Sequence, residues 1–243
     1  MNILVLNGSP KGNASNTLRL TDSFLKGLQD AYSNKNIETS IDIVHINNLH
    51  IEACRGCFSC WNKTPGRCIV NDDMMSVLEK LRWADLTIWS FPLYYFNVPR
   101  PLKTLIDRQL PLSLPFMTER TDGAGHGNHP SRYDMSGKRT ILISTCGFYT
   151  AEKNYDSVTG LFDHILAKEI TRPCSAVKES FSVSPNSQNE PMPIFKLYIP
   201  PAKNMQQAQF NLTQFRHYLN HFMPRMFLNV WLMPAGELIR QLV

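Results

Sequence analysis

The chain has no apolar stretch able to cross a bilayer. The longest run near its C-terminus, Met226 to Met233, is interrupted by Asn229, whereas a spanning helix needs about 20 apolar residues. It also has no basic block. Its 25 Lys and Arg and 20 Asp and Glu are scattered over 243 residues, and the net charge of +5 suits an anionic small ligand better than a nucleic-acid face. Met1-Asn2-Ile3-Leu4-Val5-Leu6-Asn7 lacks the positive region and cleavage site of a signal peptide, so a cytoplasmic protein with no membrane partner is expected. The G-x4-G-K-[ST] loop of ATPases is absent because Gly12 is followed by Asn13. G-x-G-x-x-G is missing after the first strand, and no G-x-S-x-G element marks an α/β-hydrolase. There is no internal repeat, and the apolar content of 43% excludes a disordered class.

What is present is an alternation of strands and helices. Ile3 to Leu6 is a continuous apolar run ending at Asn7-Gly8-Ser9-Pro10, the pattern of a buried parallel strand entering a tight turn. Leu18, Thr21, Leu25, Leu28 and Tyr32 recur at helical steps on a helix opening near Asn16-Thr17. Ile41 to Ile46 supplies strand two. Asp72-Asp73 lead into a helix with Met74, Val77, Leu78 and Leu81 inward. Leu86 to Phe91 is strand three, Pro99 to Leu110 a helix, Ile141 to Thr145 strand four. Val158, Leu161, Phe162, Ile165 and Leu166 mark another helix, and a weaker fifth strand is expected around Ser175 to Val177. The pattern predicts an α/β fold: a doubly wound, five-stranded parallel sheet of order 2-1-3-4-5 with helices on both faces.

Residues 1–180 are expected to form this domain. Residues 111–138, rich in Gly and Pro, form an inserted surface loop. Residues 181–243 are an extension, polar and proline-rich to Pro201 and closing on a last helix with Ala208, Leu212, Phe215, Leu219 and Phe222 inward. His126 and His129 lie in the insertion without matching ligands and read as loop residues. In such sheets ligands bind at the carboxyl ends of the strands, which singles out the loops after strands one, three and four.

The first of these, Gly8-Ser9-Pro10-Lys11-Gly12-Asn13-Ala14-Ser15-Asn16-Thr17, is dense in hydroxyls, amides and glycines. At a helix start, free backbone N–H groups and the positive end of the dipole favour a phosphate dianion. The second, Leu93-Tyr94-Tyr95-Phe96-Asn97, offers flat apolar contact together with hydrogen-bonding groups, as an aromatic ring system with a polar edge requires. At least one of its aromatics is expected to pack the following helix instead.

Gly8-Ser9-Pro10 with Ser15-Asn16-Thr17, then Ser90-Phe91-Pro92-Leu93-Tyr94-Tyr95-Phe96-Asn97-Val98-Pro99, then Leu102-Lys103-Thr104-Leu105-Ile106-Asp107-Arg108, resemble the flavodoxin-like NAD(P)H-dependent FMN reductases. The resemblance covers roughly residues 1 to 170. It implies that Ser9, Lys11, Ser15, Asn16 and Thr17 hold the FMN phosphate. It further implies that Pro92, Leu93, Tyr94, Tyr95, Phe96 and Asn97 contact the isoalloxazine ring, and that Thr145, Cys146, Gly147 and Phe148 complete the pocket.

Four of the six cysteines, Cys54, Cys57, Cys60 and Cys68, fall within fifteen residues at C-x2-C-x2-C-x7-C spacing. Three readings stand open: a [4Fe-4S] cluster, a zinc ion, or no metal, with the loop then a lid anchored by Phe58 and Trp61. The loop resembles that of the iron-sulfur flavoproteins. Cys146 and Cys174 read as small core hydrophobes.

The expected function is an FMN-dependent oxidoreductase that passes reducing equivalents from NADH or NADPH to a small acceptor such as a quinone, flavin, azo or nitro compound. Because the cofactor carries the chemistry, no dedicated catalytic residue is assigned. The alternatives are an iron-sulfur flavoprotein that carries electrons between partner proteins, and a flavin-binding redox sensor without turnover. The insertion and the apolar residues Phe227, Val230, Trp231 and Leu232 are candidates to close the open face of the flavin, the extension being packed on the domain or at a dimer interface, and a homodimer is expected.

Overall fold

The structure, a computed structural model, describes residues 1–119, 127–148, 153–170, 176–179 and 194–198. The predicted last helix, Cys174, His126 and the apolar residues from Met226 to Met233 lie outside the described residues.

The first strand, β1 (Asn2–Asn7), is buried from Ile3 onward and leads into α1 (Asn16–Ser33). Next come β2 (Ser40–His45), a single helical turn α2 (Ser59–Asn62) within the cysteine loop, and α3 (Met74–Trp83). They are followed by β3 (Leu86–Pro92), α4 (Arg100–Asp107), β4 (Arg139–Cys146) and α5 (Asp156–Ile170). Two short strands, β5 (Ala176–Glu179) and β6 (Ile194–Tyr198), complete the described elements.

Strands β2, β1, β3 and β4 pair in parallel, as the sequence predicts. The edge beyond β4 differs from the predicted order. The sheet has six strands in the order β2-β1-β3-β4-β6-β5, and β6 is antiparallel to both β4 and β5. The predicted fifth strand exists as β5 and runs in the direction of β4, but one place further out. The strand between them, Ile194-Phe195-Lys196-Leu197-Tyr198, is flanked by Pro191, Pro193, Pro200 and Pro201. Proline is tolerated where a strand begins and ends, so a proline-rich reading hides it.

Strand alternation sends the sheet's side chains to two cores. Ile3, Val5, Leu86, Ile88, Ile141 and Ile143 pack against Leu18, Phe24, Leu25 and Leu28 of α1. On the other face Leu4, Leu6, Trp89 and Leu142 meet α3 through Met74, Val77, Leu78 and Leu81, α4 through Leu102 and Leu105, and α5 through Val158 and Phe162. Among the described residues the predicted helical stripes are buried or partly buried, with Tyr32, Ile106, Leu161 and Leu166 partly covered and Ile165 of α5 exposed. Cys146 is buried, as a core cysteine should be. Every connection from β1, β3 and β4 therefore leaves the sheet at one end, where the candidate site lies.

Candidate functional site

The turn after β1 is organised by its own polar groups. The fully buried Asn7 accepts the Ser9 N–H at Oδ1 (3.1 Å), donates through Nδ2 to the Gly12 carbonyl (3.2 Å), and contacts His45 Nδ1 at 2.9 Å. Asn47 donates to the Gly8 carbonyl at 3.3 Å. Gly8 lies against α4: a Cβ there would come within 3.1 Å of Leu102 Cδ2 and 3.3 Å of its Cβ, so only glycine fits without displacement. Gly12 takes a positive φ of 52°. Ser15 is the N-cap of α1, its Oγ accepting the Leu18 N–H at 3.2 Å.

The geometry sorts the predicted phosphate-binding residues. Ser9 and Ser15 are buried, and their hydroxyl oxygens accept Lys11 N–H and Leu18 N–H, which leaves each O–H to donate toward a ligand. Lys11 and Asn16 are exposed. The Asn16 and Thr17 N–H groups have no acceptor within the helix, and with the helix dipole they would favour an anion there. Thr17 is buried, and its Oγ1 lies 2.6 Å from Thr145 Oγ1. That bond joins the first turn of α1 to the end of β4 across 128 residues. Thr21 Oγ1 donates to Ser90 Oγ at 2.8 Å, adding a second buried hydroxyl link from α1 to the sheet.

The loop after β3 runs alongside. Leu93 is buried and its N–H donates to the Thr145 carbonyl at 2.7 Å, with Pro92 partly covered beside it. Tyr94 and Asn97 exchange two main-chain hydrogen bonds of 2.9 Å, closing a two-residue turn at Tyr95 and Phe96. Both turn residues are left-handed, φ 49° and 64°, which costs a non-glycine residue roughly 1–2 kcal/mol each. Asn97 Oδ1 then accepts the Val98 N–H at 2.8 Å, releasing the chain into α4. Tyr95 is 98% exposed, while Phe96 stacks on Phe148 from the loop after β4, ring centroids 5.1 Å apart and planes 13° off parallel. Ser157 of α5 also donates to the Phe96 carbonyl. The structure thus brings the predicted ring-contact residues and Thr145, Cys146 and Phe148 to one edge of the sheet, beside the anion turn. Gly147 is exposed at that edge.

The cysteine loop is the fourth component. Cys54 and Cys57 are exposed, Cys68 is partly covered and Cys60 is buried. Burial, together with the nearby Cys68, Cys57 and Cys54 thiols, pushes the Cys60 thiol up. The Ser59 hydroxyl and amide, with Arg55 nearby, hold the Cys57 thiol down. Among the described residues no three potential ligands are gathered for a single ion. One zinc ion needs its ligand sulfurs at about 2.3 Å from a common centre. A [4Fe-4S] cluster instead takes one cysteine on each of four irons. Gly56 and Gly66 take positive φ values of 61° and 80°, as does Phe58 at 53°.

The insertion supports this loop, a role that its composition did not signal. Trp61 Nε1 donates to the Leu110 carbonyl (3.1 Å), and its ring lies 4.7 Å from His129 and 5.2 Å from Phe58. Gly66 fits under Arg132 and Tyr133. His129 Nδ1 lies 2.9 Å from the Leu114 carbonyl, so it serves the loop's structure. The sequence reading also missed Arg108, whose side chain is 1% exposed and which pairs with Asp72 at 2.7 Å. Its signals were its place at the end of the Leu102–Arg108 motif that carries the resemblance and at the end of an amphipathic helix. The other missed residues are Asn7 and His45.

The chain belongs to the flavodoxin-like fold family, whose model residues 1–175 match. An iron-sulfur flavoprotein of Archaeoglobus fulgidus is 38% identical over 106 residues, covering 43% of this chain and 43% of that protein. An iron-sulfur flavoprotein of Methanocaldococcus jannaschii is 29% identical over 149 residues, 61% of this chain and 72% of that protein. An FMN-dependent NADH:quinone oxidoreductase of Pseudoalteromonas atlantica is 28% identical, covering 59% and 72%. The chain spans 43% and 48% of the length of the two Archaeoglobus fulgidus relatives, about half of each. Among solved structures, the FMN complex of an FMN-dependent NADH-azoreductase from Bacillus anthracis is similar at 20% identity and a TM-score of 0.47, covering 68% of this chain and 80% of that one. Among the described residues no helix is long and apolar enough to cross a membrane.

Proposed function

We propose that this chain is an FMN-dependent oxidoreductase that passes reducing equivalents from NAD(P)H to a small acceptor such as a quinone, flavin, azo or nitro compound. The observation that carries this reading is the adjacency of the anion turn and the aromatic turn, locked together by the Thr17–Thr145 hydroxyl bond and the Leu93–Thr145 main-chain bond. In this reading Ser9, Ser15 and the first amides of α1 hold the phosphate, with Lys11 and Asn16 at its solvent side. The loop from Pro92 to Asn97 and the segment from Thr145 to Phe148 flank the ring. Bound FMN supplies the hydride and electron chemistry, and the protein supplies binding, orientation and exclusion of water. The FMN-binding unit is assigned to residues 1–180 with its insertion at 111–138, and residues 181–243 to an extension that contributes β6. A cytoplasmic homodimer completes the proposal.

Titration of the apoprotein with FMN tests the site. Ser15→Ala with Thr17→Ala should weaken FMN binding at least about tenfold, since a hydrogen bond to a charged group contributes roughly 1.5–3 kcal/mol. Unchanged affinity would refute the assignment. Anaerobic mixing with NADPH or NADH should bleach the flavin band rapidly.

One observation favours a second reading. The four thiols at C-x2-C-x2-C-x7-C spacing, in a chain similar to proteins named iron-sulfur flavoproteins, support a [4Fe-4S] centre at Cys54, Cys57, Cys60 and Cys68 and electron transfer between partner proteins. In that case the oxidised flavin spectrum should persist on mixing with nicotinamide, and anaerobically purified protein should contain iron and acid-labile sulfide. A flavin-binding sensor would instead show FMN without turnover or iron.

A further inference from the structure

We propose that His45 is a positioning residue for the turn after β1, where the FMN phosphate is assigned: as the neutral imidazole with its proton on Nε2 it holds the Asn7 amide that shapes the turn, and the grip on the phosphate weakens when the ring takes a second proton. This inference rests on the FMN reading and goes beyond it by giving a role, a tautomer and a pH dependence to a residue outside the turn.

Asn7 and His45 are register partners on the parallel strands β1 and β2, so their side chains lie side by side on one face of the sheet. Asn7 is fully buried and its whole amide is engaged. Oδ1 accepts the Ser9 N–H at 3.1 Å, while Nδ2 faces the Gly12 carbonyl at 3.2 Å and His45 Nδ1 at 2.9 Å. The turn decides which way round that amide sits. A flipped amide would set its oxygen against the Gly12 carbonyl and its NH2 against the Ser9 N–H, losing both bonds. Nδ2 therefore presents an N–H to His45, and Nδ1 has to accept it. Only the neutral ring with its proton on Nε2 offers a lone pair there. Asn47, two residues on, donates to the Gly8 carbonyl at 3.3 Å, so the segment after β2 meets the turn at two points.

A proton on Nδ1 turns this acceptor into a second donor. Two arrangements are then open to the buried amide, and both loosen the turn. If the amide stays, one of its N–H groups loses its acceptor and faces a cation. If it flips to accept from the imidazolium, Ser9 and Gly12 lose their partner, and the turn loses the bonds that set the Ser9 hydroxyl beside the start of α1. Among the described residues no carboxylate is paired with His45 to favour the charged ring: Asp42 of β2 pairs with Lys80 of α3, Glu52 with Arg55, and Asp72 with Arg108. The charged side chain of the turn itself, Lys11, is an exposed cation. Imidazole gains its second proton between about pH 8 and 5, and a phosphate monoester changes charge near pH 6 as well. The test has to separate the two.

Wild type, His45→Asn and His45→Leu are titrated with FMN and with riboflavin from about pH 8 to about pH 5.5, alongside NMR of the imidazole nitrogens and urea unfolding. Asparagine places Oδ1 where histidine has Nδ1, so His45→Asn keeps the acceptor and removes the titration. Across the range wild type should lose about fivefold more FMN affinity than His45→Asn, the contribution of one ordinary hydrogen bond. Protonation of the ligand cancels in that comparison, because both proteins meet the same FMN. His45→Leu should bind FMN about fivefold more weakly than wild type already at the alkaline end, with the pH slope of His45→Asn. Riboflavin, which lacks the phosphate, should bind all three proteins alike, and the imidazole signals that disappear in His45→Asn should be those of an Nε2–H ring. If that ring carries its proton on Nδ1 at alkaline pH, or if wild type and His45→Asn share one pH profile for FMN, the role of His45 is overturned. A wild-type affinity that rises relative to His45→Asn as pH falls overturns it too, since the imidazolium would then attract the phosphate directly. Equal losses of FMN and riboflavin would make His45 a general support of the sheet and overturn the assignment to the turn. If none of the proteins binds FMN at any pH, the phosphate reading itself fails and this role falls with it. Should His45→Leu not unfold cooperatively, wild type against His45→Asn decides.

Discussion

The turn after β1 and the cysteine loop are both irregular segments beside the carboxyl ends of the strands, yet they are held by opposite means. The turn is closed mostly by near neighbours: Ser9 on Asn7, Gly12 on Ser9, Ser15 on Gly12, and Leu18 on Ser15. The cysteine loop is closed by an arginine 36 positions beyond Asp72 and 56 beyond Glu52. A segment that closes on itself depends on many small contributions. A segment closed from a distance depends on one large one, and substitutions should reveal that contrast.

The largest effect is expected at the distant clamp. Asp72→Asn leaves the buried Arg108 charge without its partner and should cost about 3–5 kcal/mol in urea unfolding. The pH dependence has a definite sign. Burial pushes the Asp72 carboxyl up, but the Arg108 hydrogen bond and the Glu52 and Met74 amides outweigh it, leaving the carboxyl below its ordinary value of 3.8. The folded protein therefore binds the Asp72 proton less readily than the unfolded chain. Its contribution is complete well above pH 3.8 and is lost as pH falls through the depressed folded value. Asp72→Asn should flatten the acid side of the stability profile, and an unchanged profile would mean that the pair contributes nothing there.

Within the turn, Gly8→Ala sets a methyl against Leu102 and Phe91, both fully buried, and should cost about 1–3 kcal/mol and weaken FMN binding. Ser15→Ala removes one N-cap and should cost about 1 kcal/mol in thermal or urea unfolding. If Ser15→Ala costs as much as Asp72→Asn, the contrast between the two segments collapses. The smallest effect belongs to the aromatic turn. Tyr95→Gly relieves a left-handed residue, offset by the greater freedom of glycine in the unfolded chain, so a gain of less than about 1 kcal/mol is expected.

The same contrast explains what the sequence revealed. Ser15, Asn16 and the helix they open were legible because capping chemistry is local and the stripe from Leu18 to Leu28 repeats at helical steps. The parallel core was legible because Ile3 to Leu6, Leu86 to Phe91 and Ile141 to Thr145 are continuous apolar runs. Arg108 was not, since nothing within one turn of α4 shows that its guanidinium is buried. Thr17 read as a free hydroxyl at a helix start, and its bond to Thr145 exists only through the fold. β6 escaped because its prolines lie just outside the strand, where they do no harm to the ladder. The insertion read as a surface loop because glycine and proline dominate it, while its contact with Trp61 depends on His129, with the Leu110 carbonyl just before it accepting the indole N–H.

Helix α4 touches both segments. Its first turn carries Leu102, which abuts Gly8, and it ends at Arg108. Eight residues of helix form a rod of about 12 Å, too short to bend appreciably between those points. A tilt of this rod at one end is delivered to the other, so the packing of the turn at Gly8 and the closure of the cysteine loop at Asp72 share one rigid element.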